Sequence, residues 1–468
     1  MGAIAAVFTT GSESAEPLVE AMLRILSHRG THSRIAKMTE RGNVNLLVGY
    51  ASQDASEAQI YETDRTATVL EGAFYETPRV ARFAHERLTR GPSLIMAARS
   101  LLKEPGGFAC VYQKRKKMCA FRDLNGLKPL YYARSRNVTA FASERKALWK
   151  IGLKDALRAI PGCLYSISER KFNEIQLARL PSPAARKLTI NQASARLSVL
   201  LRKSIRRITR GVDKVSVAFS GGLDSALTAL LAKKANCNLE AVSVGLPGSQ
   251  ELSNVEQFAQ ELDLPITIET FGFDSLEEYV KRVVWLIEEP NLMKVSVAVP
   301  LHWAAMVAAK RRCRVMLCGQ GSDELYGGYY KYARTLDGKG RRALVTELYR
   351  SLLDSAQVNY ERDDQATAPF GVELRTAFAD LDVIEFSLAI PSQFKVKAGN
   401  DLTRKWVLRN VAKEEGLPED MVWRRKKAIQ HGTGVENAIR KLAKKRGLTA
   451  EGYLFKVHEE MIKMESMP

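Results

Sequence analysis

The chain is 468 residues long, 46% apolar and 26% charged, with a formal net charge of +19. That length exceeds what one hydrophobic core usually serves, and the balance of apolar and charged residues excludes a disordered, collagen-like or disulfide-dense chain. The six cysteines, Cys110, Cys119, Cys163, Cys237, Cys313 and Cys318, show no CxxC or Cys/His metal spacing, so they read as packed thiols of a cytoplasmic protein.

The opening segment MGAIAAVFTT lacks a charged stretch ahead of its apolar residues, so it reads as a first strand and not as a secretion signal. Myristoylation of Gly2 needs Ser or Thr where the chain has Ala6. A helix is predicted over Ala15–Ser27 from its apolar spacing. Short apolar runs then alternate with turn residues: NLLVGYA (45–51), ATVLEGAFYE (67–76), GFACVYQ (107–113), KMCAF (117–121) and PLYYA (129–133). This rhythm predicts a β-rich, layered domain over 1–177. A polar linker with two prolines follows at 178–192, and an amphipathic helix is predicted over 192–210.

From there strands and helices alternate. KVSVAFS (214–220), LEAVSVG (239–245), PITIETF (265–271) and CRVMLCG (313–319) read as strands. SALTALLAKKA (225–235), ELSNVEQFAQEL (251–262), SLEEYVKRVVWLIEE (275–289) and VPLHWAAMVAAKRR (299–312) read as helices. Continuous apolar strands separated by helices predict a doubly wound parallel sheet, buried on both faces. Beyond residue 340 the chain reads as mostly helical. The predicted boundaries of this second domain are 193–450, with a tail at 451–468. No run of about 18 uncharged apolar residues occurs, so no membrane span is expected.

Charge is uneven: residues 1–190 carry 30 Lys/Arg against 17 Asp/Glu, or +13, and residues 191–468 carry 41 against 35, or +6. Such a surface could steer ATP, nucleic acid or an acidic protein, or be only a solvated face; no nucleic-acid motif accompanies it.

The strand at 214–219 runs into Ser220-Gly221-Gly222-Leu223-Asp224-Ser225 and then at once into a helix. Two glycines let backbone N–H groups approach phosphate oxygens, and the helix N-terminus adds positive dipole. Ser220 and Ser225 can donate hydroxyl hydrogen bonds. Asp224 makes sense beside a phosphate only if it holds Mg²⁺ there. The GxxxxGK[ST] pattern is missing; the loop is similar to those of enzymes that split ATP between the α and β phosphates. The plain alternative is a turn that needs glycine for its geometry, with Asp and Ser as helix caps.

The last predicted strand ends in Cys318-Gly319-Gln320-Gly321-Ser322-Asp323-Glu324. Loops at the carboxyl ends of parallel strands face one crevice, so Asp323 is expected to join Asp224 as a metal-binding pair.

With these motifs the chain closely resembles glutamine-dependent asparagine synthetases. The resemblance covers VAFSGGLDSA (217–226), VGLPGS (244–249), GQGSDELYGGY (319–329), GVELRTAFADLD (371–382), PEDMVWRRKK (418–427) and HGTG (431–434). It implies ATP and Mg²⁺ as cofactors, with Asp224 and Asp323 as metal ligands and residues 220–225 around the pyrophosphate. It implies an adenosine frame of Ala218, Val244, Cys318 and Gly319, with Lys426 stabilising charge during adenylation. The implied reaction is an acyl-adenylate intermediate followed by attack of ammonia on aspartate's activated carboxylate.

The first half is similar to class II glutamine amidotransferase domains through His28-Arg29-Gly30, Gly106–Ala109, Arg122–Tyr132 and Phe141–Leu148. Its chemistry is expected to be lost. The family's nucleophilic cysteine is replaced by Gly2, and its Asn-Gly-Glu triplet reads Glu71-Gly72-Ala73. In the synthetase half Gln320 stands where the family has a glutamate that helps the incoming nucleophile, and Ser296 replaces an arginine, with Lys294 as a candidate replacement charge.

Three readings follow. The leading one is asparagine synthesis with ammonia taken from solution or from a separate amidotransferase partner, in a protein with no membrane association and compatible with a homodimer. The second keeps adenylation but changes the carboxylate, as in β-lactam synthetases and lasso-peptide cyclases. The third is a non-catalytic nucleotide- or RNA-binding relative.

Overall fold

The computed structural model describes residues 2–10, 14–36, 46–53, 59–77, 80–168, 171–249, 252, 254–424 and 432–465. It divides into two compact units: Met1–Leu180 with Ala368–Gly371 and Glu460–Pro468, and Pro181–Thr367 with Val372–Glu459.

The first unit stacks two antiparallel six-stranded sheets. One runs in the order Leu157–Arg158, Tyr131–Arg134, Val138–Ala142, Gly2–Thr9, Leu46–Ser52, His32–Ile35; the other runs Lys171–Gln176, Cys163–Ser168, Lys117–Arg122, Gly106–Lys114, Thr66–Phe74, Ile60–Thr63. The strand Gly2–Thr9 is buried at every position. Its alternation explains why: Ile4, Ala6 and Phe8 point into the core between the sheets, while Ala3, Ala5 and Val7 pack under the helices Glu16–Ile25 and Arg145–Lys150. A third cluster seats Val80–Arg90 and Leu94–Leu101 on the outer face of the second sheet. The layers are therefore helix, sheet, sheet, helix, and central strands read as unbroken apolar runs because both faces are covered.

The second unit has a five-stranded parallel sheet in the order Ile266–Thr270, Leu239–Gly245, Val215–Ala218, Val315–Leu317, Glu373–Arg375. Chain order proceeds outward in both directions from Val215–Ala218. The reversal therefore lies between that strand and Val315–Leu317, and a ligand crevice belongs at the carboxyl ends of these two. The helix expected over 192–210 runs Ile190–Ile208, opened by a reciprocal cap between Thr189 and Gln192. The helix expected from 299 begins instead at Leu292, where the Asn291 side chain accepts from Lys294 N. It continues through Pro300 to Lys310. This helix is long and apolar enough to cross a membrane, yet 78% of its apolar window is buried inside the protein, which makes it a core helix. Five of the six cysteines are buried and all are free thiols.

Candidate active site

The strand Val215–Ala218 delivers its chain into the loop 220–225, and the helix Leu223–Lys234 begins inside that loop. Gly222 caps this helix with extended backbone and no side-chain bond, which leaves the first amides of the helix available to an anion. Ser220 and Ser225 tie the loop together: Ser220 N donates to Ser225 Oγ (3.2 Å), the two hydroxyls lie 3.1 Å apart, and Gly222 N donates to Ser220 Oγ (3.3 Å). Gly221 takes φ +63°, and Arg424 Nη1 donates to its carbonyl (3.1 Å).

The strand Val315–Leu317 delivers the second loop beside the first. A Cβ on Gly319 would lie 2.5 Å from Asp224 Cβ, so glycine is what lets the two loops touch. Gly328 is bound in the same way: a Cβ there would lie 1.7 Å from Asp323 Oδ1.

Asp224 and Asp323 converge. Both carboxylates contact the ammonium of Lys405, Asp224 through two oxygens at 2.8 Å and Asp323 Oδ1 at 2.5 Å, with Ser322 Oγ at 3.0 Å. Lys405 is a buried cation presented by a strained turn, with Arg404 at φ +50° and Lys405 at φ +55°. Asp401 organises that turn by accepting from the N–H groups of Thr403 and Arg404 (2.9 Å each). Arg409 braces it by donating to the carbonyls of Thr403, Arg404 and Val422.

Two carboxylates completed by nucleotide phosphate oxygens are a donor set that suits Mg²⁺, which commonly binds one or two protein carboxylates plus substrate phosphates. Among the described residues no cluster of three His, Cys, Asp or Glu side chains could by itself hold a metal ion.

These groups line a cavity of about 550 Å³. Of the residues singled out from sequence, Ala218, Ser220, Gly222, Asp224, Ser225, Val244, Cys318, Gly319, Gln320 and Asp323 all face it. Gly221 lies in the loop behind, and Lys426 lies outside the described residues. Apolar walls come from Val242 and Val244 on one side and from Val297, Pro300, Leu301 and Ala304 of the core helix on the other. Ser296 and Lys294 are not among the cavity residues. Lys294 is held by Glu289 Oε2 (2.5 Å) and Gln357 O (2.7 Å), so it does not supply a replacement charge there.

Sequence reading missed Lys405, Glu324, Asn359 and Arg362, which also line the cavity. Glu324 Oε1 accepts from Tyr329 Oη and Asn359 Nδ2, both at 2.8 Å. Burial and the neighbouring Asp323 raise the Glu324 carboxyl above the ordinary range, against these two hydrogen bonds. Glu324 and Tyr329 were visible within the second loop; Lys405 sat in a basic stretch with no spacing to mark it.

The first unit presents a different picture around Gly2. Gly2 N donates to Glu71 Oε1 (3.3 Å), Tyr50 Oη donates to Glu71 Oε2 (2.7 Å), and Arg29 Nε donates to Gly2 O (2.7 Å). A Cβ at Gly2 would lie 2.2 Å from Ala51 O and 2.3 Å from Tyr50 Oη, so the space a nucleophilic side chain would need is already filled. Arg29 joins Glu71 to Glu144 (3.4 and 3.0 Å), and His28 and Lys146 also reach Glu144 (3.0 and 2.5 Å). Burial alone would push Glu144 up, but His28, Lys146 and Arg29 together hold it well below the usual carboxylate range. Burial likewise lowers His28 despite the pull of Glu144.

Comparison with known proteins places these observations. The family described as asparagine synthase matches residues 196–341 and 333–458, and the family described as glutamine amidotransferase domain matches residues 97–150. A putative glutamine-hydrolysing asparagine synthetase of Methanocaldococcus jannaschii is 33% identical over 390 residues, covering 72% of this chain and 71% of that one. A probable glutamine-hydrolysing asparagine synthetase of Schizosaccharomyces pombe is 27% identical over 355 residues, covering 69% and 62%. Asparagine synthetase B of Escherichia coli is 27% identical over 237 residues, covering 47% and 41%.

Proposed function

The chain belongs to the asparagine synthase family, and from that premise we propose that its second unit amidates aspartate through an acyl-adenylate, using ammonia that the first unit does not generate. Family membership makes it an ATP-using ligase that forms carbon–nitrogen bonds. The observation that carries the finer reading is the convergence of Asp224 and Asp323 on one cation position at the mouth of an uncapped helix N-terminus.

In this reading Ala218, Val244, Cys318 and Gly319 frame the adenosine, and the loop 220–225 receives the β and γ phosphates on its amides and hydroxyls. Mg²⁺ held by Asp224 and Asp323 would offset phosphate charge. Lys405, paired with both carboxylates, would add a second positive charge beside that ion, and Lys426 is assigned the charge developing at the α-phosphate. The substrate carboxylate oxygen attacks the α-phosphorus and pyrophosphate leaves. Ammonia then attacks the acyl carbon, a proton is lost from nitrogen, and AMP leaves. Holding the two reactants side by side supplies much of the rate.

Ammonia replaces glutamine as nitrogen donor because residue 2 offers no thiol, and Ala51 O and the Tyr50 ring fill the space beside it. Incubation with ATP, Mg²⁺, aspartate and ammonium should yield AMP, pyrophosphate and asparagine in equal amounts. ADP and phosphate as products would overturn the adenylation. A second reading, a different carboxylate, is favoured by the neutral side chain at Gln320; pyrophosphate release with other carboxylates but not aspartate would select it.

A further inference from the structure

Gln320 is clamped at both ends. Its backbone carbonyl accepts from Thr376 Oγ1 (2.7 Å), and its side-chain Nε2 donates to Asp363 Oδ2 (2.7 Å). Asp363 sits on the helix Glu361–Thr367, is 1% exposed and does not line the cavity. Its other oxygen, Oδ1, accepts from Arg362 Nε (2.7 Å) and forms an ion pair with Arg362 Nη2 (2.6 Å). Burial pushes the Asp363 carboxyl up, and Arg362 and Gln320 pull it back, so its charge depends on these two partners.

A carboxylate only accepts hydrogen bonds, and Arg362 only donates them. The Gln320 amide must therefore offer nitrogen to Asp363, and its orientation is chemically determined. We infer that Asp363 is a positioning residue that holds the Gln320 amide oxygen toward the cavity, so that residue 320 binds the incoming nitrogen nucleophile by accepting its N–H. Gln320 binds that nitrogen without taking its proton. The carboxylate set behind it directs the side chain and never meets the substrate. The inference rests on the acyl-transfer reading above, and it assigns to Asp363 a role in the second half-reaction alone.

Asp363→Asn keeps the shape, but with Arg362 holding the Asn oxygen it turns a nitrogen toward Gln320, which drives the Gln320 amide to flip. Two assays separate the half-reactions: ATP–pyrophosphate exchange with aspartate and no nitrogen donor, and asparagine formation against rising ammonium concentration. In D363N the exchange rate stays within about twofold while KM for ammonium rises about tenfold, the worth of one hydrogen bond. The double variant Q320E/D363N restores an acceptor-only group at 320 with a donor behind it, and it recovers the KM. A KM for ammonium unchanged in D363N overturns the inference, as does an equal loss of both half-reactions that the double variant does not repair. A wild-type protein without aspartate-dependent pyrophosphate exchange would overturn aspartate as the substrate, and this inference with it; exchange present with a KM insensitive to D363N overturns this inference alone.

Discussion

Each unit gathers carboxylates beside glycine-bearing loops, and the two use them in opposite ways. Around Gly2, Glu71 is wholly buried and spends its oxygens on Tyr50, Arg29 and the Gly2 amide. Around Gly222, Asp224 and Asp323 share one ammonium at the edge of a cavity of about 550 Å³, with helix amides and hydroxyls directed at it. Buried charges whose partner is removed are costly, so taking away any one member of the first network leaves others buried and unpaired. The second is incomplete by itself and has room for a polyanion. Under the proposed function, loss of one chemistry and retention of the other is a matter of packing, beyond the identity of any one residue.

The largest effect expected is at the open site. Asp224→Asn removes one of two charges facing the phosphates and should lower pyrophosphate release about 100-fold or more, by the scale of transition-state electrostatic stabilisation. Turnover near wild type would take Asp224 out of the mechanism and weaken the contrast between the two units.

The filled site is probed by adding what it lacks. Gly2→Cys forces side-chain atoms against Ala51 O and Tyr50 Oη, and should destabilise the first unit by about 1–3 kcal/mol, as overpacking does. It should still release no glutamate from glutamine. Thermal unfolding and a glutamate assay read both outcomes, and glutamate release would mean that the missing thiol alone had silenced the domain.

The smallest effect concerns a buried cation outside both sites. Lys395 is 5% exposed, donates to Ser387 O (2.7 Å), and has its ammonium pKa lowered to about 7 by burial. Between pH 7 and the ordinary lysine range the unfolded chain binds more protons here than the folded one, so stability rises with pH. Above pH 9 the buried thiol of Cys318 in the same unit, whose pKa burial raises, acts in the opposite sense. The second unit should therefore gain thermal stability from pH 7 to 9, and Lys395→Met should flatten that slope. An unchanged slope in the variant would assign the dependence to other groups.

Much of this was legible in the chain. Strands flanked on both faces read as continuous apolar runs, and the loop 220–225 announced itself through two glycines between a strand and a helix. The strand Glu373–Arg375 was not legible, because three residues are too few to show a period. The helix start at Leu292 was hidden by an apolar run with Pro300 inside it. Lys405 was hidden for a different reason: Asp401 and Arg409 shape its left-handed turn locally, but its role comes from meeting Asp323 and Asp224, the latter 181 residues away in sequence. Asp363 likewise gains meaning only through Gln320, 43 residues away in sequence.

The most direct test of the contrast supplies nitrogen in two labelled forms. With ATP, Mg²⁺ and aspartate, ¹⁵N-ammonium should transfer its label to asparagine, and glutamine labelled at the amide should transfer none. Label arriving from glutamine at a rate comparable to ammonium would contradict the account, because it would require a working amidotransferase where residue 2 has no thiol and Ala51 O and Tyr50 crowd its Cβ position.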